Sequence, residues 1–339
     1  MSVPLETPKD LTAGLKAVNR KSVFKPELFT FVLLIIVVVS SVLMSANFRD
    51  MNYIMRAATR SMEYGILALM MSYIIISGLI DLSVASSMAC VSTITGLLYL
   101  ELQVPMVLAI VLGLVSGFIL GLFNGMLVAY ADLPPLIVTI GTMALYRGIP
   151  QIFIGDKSLS KFPDWFNAID KIVIFKIGTV SIYLTIILFI LIAAIFHVVL
   201  KYTVIGRRIY GLGTNEVASH FSGVSIKRLK LFLFAFSGFF AGLAGIMTMS
   251  RLQVVRFDMA TGGELEIITI ALLGGIDMEG GRGNILGTFM AVLIVTILKT
   301  GLTVAKVKAQ DQMFIMGALL IISIVVPNLF KTLAKNRKS

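Results

Sequence analysis

Residues 105–130 read PMVLAIVLGLVSGFILGLFNGMLVAY, a run in which no side chain is charged. A helix needs about 20 apolar residues to cross the roughly 30 Å hydrocarbon core of a bilayer, so this run is long enough to span a membrane. Charged side chains are costly at that depth, and their absence is typical of a transmembrane helix. The stretch therefore predicts a helical fold embedded in a membrane.

Nine further stretches are predominantly apolar, with few or no charged side chains, and together with the first they predict an all-α transmembrane bundle of about ten spans. The second and third spans are nearly continuous and are separated only around Asp81, and the eighth span is too short to cross the membrane unaided. We expect irregular backbone at both places, which membranes tolerate only where it is buried in protein or lines a cavity. The chain, 1–339, is predicted to form a single transmembrane domain. The predicted spans lie near residues 28–45, 64–80, 83–100, 105–130, 135–154, 179–200, 230–250, 264–278, 285–303 and 312–328.

The composition supports a membrane protein over a soluble one. Hydrophobic residues make up 58% of the chain and charged residues 14%, whereas a soluble globular protein has about a quarter charged residues. The net charge of +11 comes from basic residues at the flanks of the spans, with no basic run interleaved with aromatics, so we expect no nucleic-acid partner. The single cysteine, Cys90, lies in an apolar stretch and cannot form a disulfide within the chain or a zinc site alone.

Basic residues predict the orientation of the bundle, because cytoplasmic segments of membrane proteins carry the excess of Lys and Arg. Five lie in the N-terminal tail (1–27), six in the loop 201–230 and four in the C-terminal tail (329–339). Ten spans put all three segments on one side, so both termini are predicted to be cytoplasmic. The loop 155–178 on the other side has four lysines, diluted by three aspartates.

An enzymatic function has little support in the sequence. The chain has no Gly-x-x-x-x-Gly-Lys-Ser/Thr loop for ATP phosphates, and its two histidines, His197 and His220, have no partner at metal-binding or catalytic spacing. We therefore expect no catalytic residues, no metal site and no cofactor bound by this chain.

Four polar residues within or beside the spans are the candidates for a substrate pathway: Asn124, Thr142, Arg147 and Glu266. Polar groups in a membrane face protein or water, which favours a central cavity. Helix packing through small and polar residues also explains Asn124 and Thr142, and an arginine stem reaching toward the interface also explains Arg147.

Glu266 has a neighbour, Glu264, with a different explanation. Thr261-Gly-Gly-Glu264 has the spacing of a capping box, in which Glu264 would satisfy backbone donors at the start of the eighth helix. No such arrangement accounts for Glu266, so it is predicted to line the pathway.

Two turns share a pattern. Gly78-Leu-Ile-Asp-Leu82 and Gly274-Gly-Ile-Asp-Met278 are 196 residues apart, which suits an internal repeat of the kind that builds transporters or a coincidence of common residue types. We interpret Asp81 and the glycines of the later stretch as structural turn residues, needed where the backbone requires positive φ angles. These glycines are Gly274, Gly275, Gly281 and Gly283.

The loop 201–230 is predicted to contain a short amphipathic helix. Over residues 215–222, Val217, Ala218 and Phe221 fall on one face. Such a helix on the cytoplasmic side can dock into the groove of a partner protein.

These motifs, taken in order, resemble the permease subunits of bacterial ABC sugar importers of the ribose, xylose, rhamnose and autoinducer-2 type. The resemblance covers nearly the whole chain. Leu79, Ala85, Val217 and Glu266 depart from the residues usual in the family, which leaves the architecture intact and the substrate open. The matching segments are Ile80-Asp-Leu-Ser-Val84, Pro134-Pro-Leu-Ile-Val-Thr-Ile-Gly-Thr142, Tyr146-Arg-Gly148, Asn215 to Gly223, Glu264-Leu-Glu-Ile-Ile268, Gly274-Gly275 and Gly280-Gly-Arg-Gly283.

The resemblance implies a transport subunit in the bacterial inner membrane. The expected partners are cytoplasmic ATPase subunits, a periplasmic or lipid-anchored sugar-binding protein, and a second permease copy or a paralogue. The residues implied to couple transport to ATP hydrolysis are Asn215, Glu216, Ala218 and Gly223.

Two other functions are alternatives to a sugar importer. A branched-chain amino acid permease would have the same architecture and another cargo. A carrier driven by an ion gradient generally has acidic or histidine groups near the middle of the membrane, whereas the acidic residues here lie at the ends of the predicted spans.

Overall fold

The computed structural model describes residues 26–44 and 46–336, and this part of the chain is mostly helical. The N-terminal tail predicted to be cytoplasmic therefore lies outside the described residues up to residue 25, as do the last three residues of the C-terminal tail. The α-helices are α1 (Pro26–Met44), α2 (Met51–Thr59), α3 (Met62–Ile76), α4 (Val84–Leu100), α5 (Met106–Ala129), α6 (Pro135–Ile154), α7 (Asp164–Asn167), α8 (Leu184–Tyr202), α9 (Val204–Thr214), α10 (Glu216–Phe221), α11 (Ile226–Leu252), α12 (Gly263–Leu273), α13 (Ile285–Val304) and α14 (Ala309–Asn336).

Five helices in the described part of the chain are long and apolar enough to cross a membrane, namely α5, α6, α8, α11 and α13. Shorter apolar stretches lie in α1, α3, α4 and α14. The predicted eighth span corresponds to α12, which has only 11 residues. Each of the ten predicted apolar stretches thus contains a helix, while ten complete crossings stay a prediction.

A β-hairpin departs from the predicted all-α class. Strands β1 (Val173–Ile177) and β2 (Val180–Tyr183) pair in antiparallel fashion, and α8 begins only after them. The sixth span, predicted to begin at residue 179, therefore begins at Leu184. Residues 180–183 pair with β1 instead, and the Asn52 side chain in α2 holds the hairpin by accepting a hydrogen bond from the Ser181 N–H at 2.9 Å and donating one to the Thr179 carbonyl at 2.7 Å.

The core is organised around α11, which packs against α3, α4 and α5. The contact with α5 is made by glycines: a Cβ atom on Gly121 would lie 2.1 Å from the Phe234 carbonyl oxygen, and one on Gly238 would lie 2.1 Å from the Gly117 carbonyl oxygen. Small residues let helix backbones approach this closely, as is common between membrane helices.

Contacts between helix ends establish the relative directions of α3, α5 and α11. The Lys227 ammonium at the start of α11 lies 5.8 Å from the centre of the Tyr130 ring at the end of α5. At the other end of α11, Arg251 pairs with Glu63 at the start of α3, with 2.6 Å between Nε and Oε1. Helices α3 and α5 are therefore both antiparallel to α11. We call the end with Lys227 and the loop 201–230 the loop face, and the end with Arg251 the opposite face.

The later helices fit the same two faces. A Cβ atom on Gly263, the first residue of α12, would lie 2.6 Å from the Tyr64 ring, so α12 begins at the opposite face beside α3. Its last residue, Leu273, accepts a hydrogen bond from the Thr30 hydroxyl near the start of α1 at 2.8 Å. Helix α1 thus starts on the side where α12 ends, which is the loop face.

Candidate functional site

Asp81 lies in the first break, residues 77–83, between α3 and α4, and only 2% of its surface is exposed. Its Oδ1 accepts hydrogen bonds from the Ser83 N–H at 2.9 Å and the Ser83 hydroxyl at 2.6 Å. Its Oδ2 accepts one from the Ser237 hydroxyl of α11 at 2.7 Å. A buried carboxylate needs such donors, and these three satisfy it without a cation. Asp81 thereby fixes the start of α4 to α11.

Asn124 extends this arrangement to α5 and α6. Its side-chain NH₂ donates to the Ser83 hydroxyl oxygen at 2.8 Å, and its carbonyl oxygen lies 3.0 Å from the Tyr146 hydroxyl. That hydroxyl also lies 2.9 Å from the Leu120 carbonyl oxygen of α5. We call this group of side chains, which joins four helices, the Asp81 network: Asp81, Ser83, Asn124, Tyr146 and Ser237. Sequence reasoning identified Asp81 and Asn124 separately and missed that Ser83 connects them.

Thr142 is buried one turn before Tyr146 in α6. Its hydroxyl donates to the Val138 carbonyl of its own helix at 3.0 Å. The protein therefore packs both Asn124 and Thr142 inside the bundle in this conformation, and their place in a pathway stays a prediction.

Arg147 reaches from α6 to the segment that precedes α12. Its Nη1 donates to the Met259 carbonyl at 2.5 Å, and the Phe257 carbonyl oxygen lies 3.4 Å away. The guanidinium is thus held by backbone oxygens at the opposite face. Hydrogen bonds to a charged donor are stronger than those between neutral groups, so this contact ties α6 to the start of α12.

Glu266 in α12 forms an ion pair with Lys299 of α13. Both carboxylate oxygens lie 2.9 Å from the Lys299 Nζ, which also sits 5.6 Å from the centre of the Tyr64 ring. Among the described residues, no hydrogen bond or ion pair joins the four predicted pathway residues to one another.

A second ion pair at the opposite face was missed by sequence reasoning. Glu63, which is 2% exposed, pairs with Arg251 through Oε1, and its Oε2 has no hydrogen-bond partner among the described residues. The two residues are 188 positions apart. The charge at the start of α3 was the available signal, and nothing local in the sequence identified its partner.

The predicted capping box at the start of α12 is wrong. Gly262, with φ of +80°, is the residue before the helix, and no side chain caps it. The Thr261 hydroxyl instead donates to the Asp258 carbonyl at 2.7 Å. Thr261 is therefore engaged in the preceding turn, and Glu264 does not serve as its capping partner.

The second break, residues 274–284, lies between α12 and α13 and contains the predicted turn glycines. Gly275, Gly281 and Gly283 have φ angles of +83°, +70° and +150°. For Gly274 the prediction of a positive φ angle is wrong: its φ is −68°, and it is needed for close packing, since a Cβ atom there would lie 2.5 Å from the Thr288 nitrogen of the next helix. The Gly281 N–H donates to the Ile76 carbonyl at 2.7 Å. A Cβ atom on Gly280 would lie 2.9 Å from the Gly78 nitrogen, so the two breaks that share a sequence pattern are in direct contact.

The predicted amphipathic helix corresponds to α10 at the loop face. Asn215 begins it by accepting a hydrogen bond from the Ala218 N–H at 2.8 Å, and Glu216 pairs with Lys230 of α11 at 2.6 Å. Val217 and Phe221 are both exposed, with 65% and 84% of their surfaces accessible. The two side chains thus give α10 a small exposed apolar surface.

A cavity of about 820 Å³ adjoins α10, between the end of α5 and the start of α11. Its wall combines apolar side chains with basic ones, including Ala129, Val217, Phe221, Ile226, Lys227 and Arg228. This part of the loop face thus offers a concave surface beside the exposed face of α10.

Comparison with known proteins gives consistent matches along the chain. A family model described as branched-chain amino acid transport system / permease component matches residues 53–324. The ribose import permease protein RbsC of Haemophilus influenzae is 30% identical over 307 residues, which cover 89% of this chain and 93% of that protein. RbsC of Bacillus subtilis is 31% identical over 298 residues, covering 87% and 90%. The autoinducer 2 import system permease protein LsrD of Escherichia coli is 30% identical over 305 residues, covering 88% and 91%.

No solved structure matches the chain significantly. The family model nevertheless extends from α2 to within α14, so it covers most of the helices described above. A permease component is a transport subunit and not an enzyme. The chain belongs to the family of branched-chain amino acid transport system permease components and is a multi-pass, membrane-embedded permease.

Proposed function

We propose that this chain forms the translocation pathway of an ATP-driven, binding-protein-dependent importer for a monosaccharide or a sugar-like small molecule. The observation that carries the proposal is the similarity, over about nine-tenths of both chains, to import permeases for ribose and autoinducer 2. The chain has no ATP-binding loop motif, so a separate ATPase subunit supplies the energy.

The proposed topology has ten spans in the inner membrane, formed by one domain with both termini in the cytoplasm. The alternating directions of α3, α11 and α12 support it, as does the start of α1 on the loop face. The loop 201–230 carries six basic residues, which favours a cytoplasmic location for that face. The opposite face would then meet the binding protein outside.

In this proposal α10 is the element that engages the ATPase subunits. Its exposed Val217 and Phe221 form the apolar contact, and Asn215 and Gly223 set its two ends. A hydrophobic helix face docked in a partner's groove is a common recognition mode. A second copy of the permease or a paralogue completes the pore.

The pathway residues are proposed to be Asn124, Thr142, Arg147 and Glu266. The partners of Arg147 and Glu266 at the opposite face support a polar entrance there. Asn124 and Thr142 lie deeper among packed helices, so their exposure requires a second conformation of the bundle. An importer that alternates between two conformations needs only weak cargo contacts in the permease when a binding protein supplies the affinity.

A branched-chain amino acid is the second candidate cargo, because the matching family model carries that description. A sugar would be held by hydrogen bonds to its hydroxyl groups, whereas an apolar amino acid side chain would need an apolar pocket.

Transport by the reconstituted complex tests both the cargo and the energy source. We expect ATP-dependent uptake of radiolabelled ribose or a related monosaccharide into proteoliposomes, with the cognate binding protein present and leucine ineffective. A protonophore should leave uptake unchanged. Uptake of leucine in place of sugars would support the second candidate, and uptake abolished by the protonophore with ATP present would contradict an ATP-driven importer.

A further inference from the structure

The end of α9 touches both breaks through its backbone. A Cβ atom on Gly213 would lie 1.8 Å from the carbonyl oxygen of Ile76, the last residue of α3 before the first break. It would also lie 2.6 Å from the Gly281 nitrogen of the second break. Neither neighbour is a flexible side chain, so any residue larger than glycine must push α9 away from the breaks. Gly213 thus permits a three-way backbone contact.

Two further contacts hold the same three segments together. A Cβ atom on Gly280 would lie 3.0 Å from Gly78 Cα and 3.1 Å from the Gly213 carbonyl oxygen. The Tyr210 hydroxyl of α9 donates to the Gly283 carbonyl at 2.7 Å. We call this group the α9 junction: Ile76, Gly78, Tyr210, Gly213, Gly280, Gly281 and Gly283.

Helix α9 is also joined tightly to α10. Asn215 alone separates them, and its N–H donates to the Gly211 carbonyl at 3.0 Å. Ser219 of α10 is buried, and a Cβ atom on Gly211 would lie 3.0 Å from its hydroxyl oxygen. A displacement of α10 therefore moves the end of α9 as well, because no flexible linker lies between them.

The first break leads from the junction to the Asp81 network. Five positions separate Ile76 from Asp81, and Asp81 is bonded to α11 while Ser83 is bonded to α5. A movement at the junction can thus reach both α11 and α5 through the first break. The second break leads directly into α13, and Gly274 at its start packs against Thr288 of that helix.

We propose that the α9 junction transmits displacement of α10 to both breaks, with Tyr210 and Gly213 as positioning residues for transport. This inference rests on the proposed function, since it requires α10 to be the element moved by the ATPase. Two distant sites can be coupled when the packed elements between them have two discrete arrangements and both sites favour one of these over the other.

The decisive measurement is the number of cargo molecules imported per ATP hydrolysed in proteoliposomes that contain the full complex. Tyr210→Phe removes one hydrogen bond and keeps the ring, so we expect ATP hydrolysis to persist and cargo per ATP to fall about two- to tenfold. Tyr202→Phe is the matched control, because the Tyr202 hydroxyl has no hydrogen-bond partner in the described part of the chain. A defect in folding alone would lower uptake and hydrolysis in proportion and leave their ratio unchanged.

Gly213→Ala is the stronger variant, and Gly141→Ala in α6 is its control, since a Cβ atom at Gly141 meets nothing within 4 Å. We expect Gly213→Ala to lose nearly all coupled uptake and Gly141→Ala to keep it. If Gly213→Ala does not fold, the Tyr210→Phe ratio still decides. If Tyr210→Phe imported as much cargo per ATP as the wild type, the proposed role of the α9 junction would be wrong. If the wild-type complex imported cargo without ATP, the proposed function itself would be wrong.

Discussion

The Asp81 carboxylate in the first break accepts a hydrogen bond from the Ser237 hydroxyl of α11 at 2.7 Å, across 156 positions of sequence. The same carboxylate is bonded to Ser83, which in turn is bonded to Asn124 of α5. The Asp81 carboxyl group therefore lies at the centre of the contacts that hold the first break in place.

Replacing Asp81 with leucine should lower the yield and thermal stability of the folded protein more than it alters cargo choice. The change leaves the Ser83 and Ser237 hydroxyls without their acceptor, and each buried unsatisfied group costs about 1–3 kcal/mol. Ser237→Ala removes one hydrogen bond only and should lower the melting temperature in detergent by a smaller amount. A stable Asp81→Leu variant with changed cargo preference would instead make Asp81 a pathway residue.

A bulky residue at Gly223 should uncouple transport from ATP hydrolysis. Gly223 ends the α10 segment with a φ angle of +83°, which β-branched residues adopt only with strain. We expect Gly223→Val to reduce uptake while basal hydrolysis continues, and Gly223→Asn to retain more coupling, because asparagine tolerates this conformation. Equal uptake and ATPase stimulation in Gly223→Val and wild type would remove Gly223 from the coupling surface.

Truncating Phe221 should weaken binding of the ATPase subunits. Complete burial of a phenylalanine contributes about 1.5–3 kcal/mol, so Phe221→Ala is expected to raise the dissociation constant roughly ten- to a hundredfold. Phe175→Ala is a suitable control, because Phe175 is an exposed aromatic on the β-hairpin, away from α10. Affinity can be measured in detergent by titrating the labelled ATPase subunit. Equal loss in both variants would argue against a specific role for α10.

Cysteine substitution tests the four pathway residues directly. In a Cys90→Ala background, cysteines replacing Asn124, Thr142, Arg147 and Glu266 should react with a membrane-impermeant thiol reagent during turnover. Asn124 and Thr142 are buried here, so their labelling should depend on ATP and the binding protein more than that of the other two. Protection at all four positions under every condition would remove them from the pathway.

The sequence predicted the positions of the main helices because an apolar run without charges is a local signal. It also located the break at Asp81, since a carboxylate between two apolar runs interrupts that signal. No local pattern of this kind predicts which side chains contact each other across the bundle. Glu63 pairs with Arg251, and the hairpin before α8 is bonded to Asn52, in each case across more than 100 positions of sequence. The capping box failed because Thr261 bonds within the preceding turn.

The glycine contact between α5 and α11 holds these two helices in a fixed position relative to each other. With no side chain between Gly121 and Gly238, neither helix can slide or tilt against the other without a backbone collision or a lost contact. Spectroscopic labels on these two helices should therefore keep a constant separation through the transport cycle. Distances from labels on α5 and α11 to labels on α9 or α13 would then measure how far α9 and α13 move within the protein during transport.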